Sequence, residues 1–252
     1  MQIQHVDYYS NILCRNMPCK IYGHAGRPVL FVPCQDGKHQ DFEAFNMHNE
    51  WGKWIEEGKV MVFSIDSIDE ETWSNKNAYP YDRVRLHEQW VHFIVDEFVG
   101  YIRKTVNDAN GWTGNPGIIV FGCSMGATHA VNLYFRFPEI FDGCLALSGI
   151  YYPSFFLGDY MDEVVYQNSP VHFLANMPKD HPYIARYNNN KGIICVGQGA
   201  WEEPQSTRDI DNICRDKGID VWVDYWGHDV NHDWPWWYKQ VQYFVPKLLG
   251  EE

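Results

Sequence analysis

Six short runs of nearly continuous hydrophobic residues constrain the fold of this chain more than any other feature. They lie at residues 28–32, 60–65, 117–121, 143–147, 192–196 and 219–223. Apolar residues follow one another in these runs instead of alternating with polar ones. That pattern is typical of strands covered on both faces, as in a parallel sheet. We therefore predict that these runs are the strands of a buried, mostly parallel sheet.

Helical segments separate the runs. The clearest covers about 84–105, where Trp90, Phe98 and Ile102 recur at helical spacing. Three more are predicted at 124–137, 206–217 and 235–249. Strands that alternate with helices predict an α/β fold, a three-layer sandwich with a mostly parallel central sheet and helices on both faces.

The organisation along the chain favours one domain. A length of 252 residues fits a single α/β unit, and we find no internal repeat or linker. The stretch 151–190 has few strand signals and many aromatic and proline residues. We predict one domain, 1–252, with a cap or insertion around 151–190.

The charge balance limits the partners. The chain has 33 acidic and 20 basic residues, a net charge of −13, and no lysine- or arginine-rich stripe that would neutralise phosphates. We predict that it binds neither nucleic acid nor a membrane. We also expect a cytoplasmic protein, because no apolar run approaches the roughly 20 residues of a membrane span and residues 1–5 do not resemble the start of a signal peptide.

The cysteines indicate a reducing compartment. Their number is odd and several lie inside apolar runs, so we predict buried free thiols and not disulfides. The seven are Cys14, Cys19, Cys34, Cys123, Cys144, Cys195 and Cys214.

The strongest functional signal is the pentapeptide Gly-Cys-Ser-Met-Gly at 122–126. It follows an apolar strand and precedes a helix of small residues. A nucleophilic serine of an α/β hydrolase needs this strand–turn–helix, because its Oγ must stand clear of the sheet on a tight turn where glycines allow close backbone approach. We predict that Ser124 is the nucleophile and that the fold is the α/β-hydrolase fold.

A nucleophilic serine needs a general base, and on this fold the acid and the histidine follow it along the chain. Two histidines, His228 and His232, lie in the loop after the last strand. We favour His232 because it leads directly into the final helix. The alternative is a zinc site at His228, Asp229 and His232. Beyond the two histidines it has no convincing third ligand, so we predict no metal.

The acid is expected in the loop after the strand at 192–196. It would accept the Nδ1 proton of the histidine and fix its tautomer. Glu202 is the preferred candidate, Glu203 the reserve, and Asp229 a third. The sequence leaves the choice among them open.

An oxyanion hole is expected from two backbone N–H groups. One is that of Met125, directly after the nucleophile. The other should come from the loop after the first predicted strand, where we select Gln35.

Several segments together resemble a bacterial family of putative esterases related to esterase D and the antigen 85 mycolyltransferases. Its features are the pentapeptide followed by Thr-His-Ala at 128–130, the segment 135–141, Leu-Ser-Gly at 147–149, Asn-Ser-Pro at 168–170, and a terminal His-Asp-Trp with Trp237. The likeness extends from about residue 29 to 248. It implies a Ser–His–acid triad, ester hydrolysis or acyl transfer, and no cofactor.

These observations predict a carboxylic-ester hydrolase that works through a covalent acyl-enzyme on a small-molecule ester. The alternatives are an acyltransferase to an alcohol or sugar, and a non-catalytic binding or assembly protein with the same fold. The sequence leaves open whether the chain forms a homo-oligomer.

Overall fold

The computed structural model describes residues 1–251. Residue contacts divide the chain into two compact units, the first Met1–Ile119 and the second beginning at Val120. The prediction of one domain with a cap at 151–190 stays a prediction.

The first unit contains four strands, in the spatial order β1-β2-β4-β3. Their bounds are β1 Ile3–Ser10, β2 Arg15–Tyr22, β3 Arg27–Val32 and β4 Val60–Ile65. The pairs β1–β2 and β2–β4 are antiparallel, whereas β3 and β4 are parallel. Strands β3 and β4 lie where the apolar runs predicted them. Sequence reasoning missed β1 and β2, because β1 is mostly exposed and carries no apolar run.

The helices of the first unit include one long interrupted segment. The bounds are α1 Asp41–Ala44, α2 Met47–Glu50, α3 Gly52–Glu56, α4 Pro80–His92, a π-helical turn Phe93–Phe98, and α5 Val99–Asn110. The helix predicted at 84–105 therefore lies within a longer helical stretch. Glu97 of the π-helical turn accepts hydrogen bonds from Ser10 Oγ at 2.6 Å and Asn11 N at 3.0 Å, so it caps the turn between β1 and β2.

The other four strands belong to the second unit, except that Ile119, the first residue of β5, ends the first unit; their order is β5-β6-β7-β8. Their bounds are β5 Ile119–Cys123, β6 Gly143–Leu147, β7 Lys191–Val196 and β8 Trp222–Tyr225. The pairs β6–β7 and β7–β8 are parallel. Strand β8 begins three residues later than predicted, because Ile219 and Val221 form turn hydrogen bonds to Cys214 O and Ile219 O.

Seven helices are found among the described residues of the second unit. They are α6 Met125–Arg136, α7 Ser154–Leu157, α8 Glu163–Gln167, α9 Pro170–Asn176, α10 Pro182–Asn189, α11 Pro204–Lys217 and α12 Trp234–Leu249. Helices α7 to α10 form the segment predicted as a cap, and α9 packs against α6 and α11. Parallel strands joined by helices confirm the predicted α/β class with a mostly parallel sheet.

The seven cysteines are free thiols; five of them are buried as predicted, whereas Cys14 is exposed and Cys34 is half-buried. Burial raises the pKa of the Cys34 and Cys214 thiols to about 12. These two side chains are therefore protonated at neutral pH and poorly nucleophilic. Separately, none of the helices within residues 1–251 is long and apolar enough to cross a bilayer.

Candidate active site

Ser124 lies on a sharp turn between β5 and α6. Its backbone has φ 56° and ψ −125°, a conformation that residues with side chains seldom adopt and that is associated with functional turns. The turn also needs a glycine at position 122. A Cβ there would lie 2.3 Å from the backbone C and O atoms of Gly126. The strand and the helix can approach this closely only because Gly122 has no side chain.

The backbone around Ser124 is held on both sides of the turn. Ser124 N donates to Leu147 O of β6 at 2.8 Å, and Ser124 O accepts from Ala127 N at 2.9 Å. Helix α6 begins at Met125, so the N–H groups of Met125 and Gly126 precede the first carbonyl that the helix can offer them. The positive end of the helix dipole therefore lies beside the serine, where it favours negative charge.

His232 reaches Ser124 from the loop between β8 and α12. Its Nε2 lies 2.8 Å from Ser124 Oγ. The histidine backbone is fixed by a hydrogen bond from His232 N to Ala200 O at 3.0 Å. Its ring meets the Trp237 ring edge-on, with centroids 5.1 Å apart and planes at 83°. The imidazole is thus aimed at the serine by both loop and helix.

Glu202 occupies the other side of His232. Its Oε2 lies 3.3 Å from His232 Nδ1, and its side chain is only 1% exposed. Its Oε1 accepts from Ser148 Oγ at 2.7 Å and from Gly197 N at 3.3 Å. Because a carboxylate can only accept, this contact favours the tautomer with the proton on Nδ1, which leaves Nε2 free to accept the Ser124 proton. The three side chains form a continuous hydrogen-bonded path.

Residues 10–248 match the family model described as putative esterase. That match covers almost the whole chain. The chain belongs to the putative esterase family.

Solved structures similar to this esterase-family chain extend over nearly its full length. A ferulic acid esterase has 14% identity and a TM-score of 0.73, with 100% of this chain and 99% of the other covered. The S-formylglutathione hydrolase FrmB from Staphylococcus aureus has 11% identity and a TM-score of 0.67, with 98% and 97% covered. MPT51 from Mycobacterium tuberculosis has 15% identity and a TM-score of 0.69, with 98% of each chain covered. No curated protein sequence matches.

These comparisons confirm two predictions. The family match agrees with the resemblance inferred from the motifs, and the structural likeness confirms the α/β-hydrolase fold. Membership in this family also supports hydrolase and esterase activity. At identities of 11–15% the similarity to the solved structures supports the fold alone.

The competing candidates have other surroundings in this esterase-family chain. Glu203 is the N-cap of α11 and accepts from Gln205 N and Ser206 N, both at 3.1 Å. His228 and Asp229 are both exposed. Within residues 1–251 no cluster of three or more His, Cys, Asp or Glu side chains is arranged to hold a metal ion.

The second predicted oxyanion donor, Gln35, lies in the first unit of the esterase. It follows β3 in a turn closed by a hydrogen bond from Gly37 N to Cys34 O at 2.9 Å. Its role stays a prediction, as does that of Met125.

Sequence reasoning did not assign Ser148 and Trp237 to the site. Trp237 Nε1 donates to Ser148 Oγ at 3.0 Å, and Ser148 Oγ contacts Glu202 as described above. A signal was available for Ser148, because it directly follows β6 and the carboxyl ends of parallel strands are where sites form. Nothing in the sequence links Trp237 to Ser148, which is 89 residues away.

Proposed function

We propose that this chain is a carboxylic-ester hydrolase that works through a Ser124–His232–Glu202 triad and a covalent acyl-enzyme. The observation that supports it is the path from Ser124 Oγ to His232 Nε2, at 2.8 Å, and from His232 Nδ1 to Glu202 Oε2, at 3.3 Å. Nucleophile, base and orienting acid are joined in the order that acyl transfer requires.

In the acylation step, Ser124 Oγ attacks the carbonyl carbon of the ester while its proton moves to His232 Nε2. Negative charge develops on the former carbonyl oxygen, and in this mechanism the Met125 N–H at the start of α6 stabilises it. The bond to the alcohol oxygen then breaks, and the His232 imidazolium gives its proton to that leaving oxygen. Glu202 stabilises the imidazolium and holds its tautomer.

Deacylation repeats the same steps with water. His232 Nε2 takes a proton from a water molecule as its oxygen attacks the acyl carbon. The bond to Ser124 Oγ breaks, and the proton on His232 returns to that oxygen. The carboxylic acid leaves and the serine is regenerated.

Turnover of an ester panel tests this proposal. The panel contains short-chain aryl esters, a feruloyl ester and the thioester S-formylglutathione, whose leaving group is a thiol; the last two are included because similar structures include a ferulic acid esterase and an S-formylglutathione hydrolase. We expect Ser124→Ala to lower kcat by a factor on the order of 10⁶. Ser154→Ala, at an exposed serine of α7, is the matched control and should retain full activity.

Labelling with a fluorophosphonate probe gives a readout that does not depend on the choice of ester. We expect the adduct on Ser124 in the wild type and in Ser154→Ala, and none in Ser124→Ala. Full turnover by Ser124→Ala would overturn the proposal. Ester products formed with added alcohols would favour an acyltransferase, and absence of both labelling and turnover would favour a non-catalytic binding protein.

A further inference from the structure

We propose that Ser148 and Trp237 are positioning residues for Glu202, joined in a buried hydrogen-bond chain that decides which carboxylate oxygen faces His232. The inference rests on the proposed function, because it assigns a purpose to contacts of the triad acid. It adds Ser148, from the loop between β6 and α7, and Trp237, from α12, to a site otherwise built from three loops.

The donor and the acceptor of each hydrogen bond in this chain follow from the chemistry of the three side chains. An indole N–H can only donate, so Trp237 Nε1 donates to Ser148 Oγ at 3.0 Å. A serine hydroxyl has a single proton, and the acceptor at 2.7 Å is Glu202 Oε1. The tryptophan therefore occupies a lone pair of the hydroxyl and leaves its proton for the glutamate. Without Trp237 the hydroxyl would keep only its bond to Glu202 Oε1 and would lose the donor that fixes its lone pair.

The members of this hydrogen-bond chain are buried. Ser148 is 2% exposed, Trp237 3%, and the Glu202 side chain 1%. Bulk water is thus kept from these groups, and a donor lost by mutation leaves a buried polar atom without its partner. With Oε1 engaged by Ser148 Oγ and Gly197 N, Oε2 is the oxygen directed to His232 Nδ1.

Trp237 is linked to both members of the acid–base pair, to His232 directly and to Glu202 through Ser148. Its N–H acts on Glu202 through Ser148, while its ring meets the His232 ring edge-on at 5.1 Å. A single side chain of α12 therefore sets the relative placement of the imidazole and the carboxylate. Small errors in such placement are costly for catalysis.

The backbone of Ser148 also points to a role for its hydroxyl. Its φ is 60°, in the left-handed region that favours glycine, and its N–H donates to Cys195 O at 2.8 Å. A serine is strained there, and such strain is characteristic of functional positions. A glycine would fit this backbone better but would leave Glu202 Oε1 without its hydroxyl donor.

Three variants test the chain by kinetics: Ser148→Ala, Ser148→Gly and Trp237→Phe. The glycine variant relieves the backbone strain, and the phenylalanine variant keeps a ring against His232 while deleting the N–H. For each we expect kcat to fall about 10- to 100-fold with KM unchanged. The double variant Ser148→Ala/Trp237→Phe should be no slower than the worse single variant, because both act through one chain.

Ser206→Ala is the matched control. Ser206 is also fully buried, and its Oγ donates to a glutamate at the same distance of 2.7 Å, but that glutamate is Glu203. Its loss should lower the unfolding midpoint and leave kcat unchanged. A general effect of deleting a buried hydroxyl would instead lower kcat in this variant too.

A spectroscopic readout separates this inference from the proposed function. The His232 Nδ1 proton, held by a carboxylate, should give a downfield proton resonance that is absent in His232→Gln. We expect it to shift or broaden in the Ser148 and Trp237 variants and to stay in place in Ser206→Ala, whether or not any ester is turned over. Suppose that the wild type is active and that the Ser148 and Trp237 variants keep its kcat and its resonance. That result would overturn the proposed role of the hydrogen-bond chain and leave the proposed triad intact.

Discussion

The two halves of the proposed catalytic machinery are built in different ways. The serine turn, residues 122–126, takes its shape from consecutive residues: a Cβ at Gly122 would lie 2.3 Å from the Gly126 backbone, so only glycine fits there, and Ser124 adopts φ 56°. The histidine and the acid come instead from two loops, 197–202 and 226–232. Hydrogen bonds between the loops align them, such as Gly199 N to Val230 O at 2.8 Å. The conformation of the turn is determined by a short sequence motif, whereas the relative position of the two loops depends on contacts between distant residues.

Gly122→Ala should have the largest effect, because it breaks the local turn itself. The new Cβ would lie 2.3 Å from the backbone of Gly126, and neither the strand nor the helix can move away without losing the turn. We expect a loss of about 3 kcal/mol or more in the free energy of unfolding, with loss of fluorophosphonate labelling. Urea denaturation and probe labelling measure the two effects.

Gly100→Ala is the control for that variant. Gly100 lies in α5 and a Cβ there meets nothing within 4 Å, so we expect a gain of about 1 kcal/mol from helix propensity. A Gly122→Ala protein as stable and reactive as wild type would show that the turn does not depend on this close approach.

The variants Glu202→Gln and Glu203→Gln compare two neighbouring carboxylates in the loop between β7 and α11. Glu202 contacts His232, whereas Glu203 caps α11. We expect Glu202→Gln to lower kcat by a factor on the order of 10⁴, because an amide can present its N–H to Nδ1 and favour the wrong tautomer. Glu203→Gln should retain wild-type kcat. Steady-state kinetics on the best ester of the panel gives both values, and a reversed order would assign the acid to Glu203.

The sequence predicted the fold where burial is continuous. Strands β4 and β6 match their predicted ranges, because their residues are buried throughout and the apolar runs end where the strands end. The hairpin β1–β2 escaped prediction because β1 is largely exposed and Pro18 lies within β2. The helix at 84–105 was predicted as regular, but it contains a π-helical turn at Phe93–Phe98 that residue spacing does not reveal.

The same distinction holds at the site. Ser124 could be selected from five consecutive residues, since its strained turn requires glycines at fixed positions. Glu202 and Glu203 are adjacent, and their different contacts depend on residues far along the chain. Ser148 and Glu202 are 54 residues apart, so no local pattern predicts that the two side chains meet.

Asn231→Ala tests whether contacts between the two loops align His232. Asn231 Oδ1 accepts from Ala200 N at 2.8 Å, next to the carbonyl that binds His232 N. We expect kcat to fall about 10-fold through looser placement of the imidazole. Asn188→Ala is the control, because Asn188 Oδ1 likewise accepts from a backbone N–H, that of Asp220, at 2.7 Å. Equal losses of kcat in both variants would mean that the loop contact has no special role.

Trp201→Gly should have the smallest effect on kcat of these variants. Trp201 belongs to the same loop as Glu202, but it is 90% exposed and has φ 66°. If the loop aligns the triad only through its hydrogen bonds, an exposed ring contributes nothing to kcat. Glycine accepts this backbone without strain but adds entropy to the unfolded chain, so we expect the free energy of unfolding to change by less than about 1 kcal/mol. Urea midpoints and kcat measured side by side test this, and a marked loss of kcat would show that the ring itself acts on the substrate or the triad.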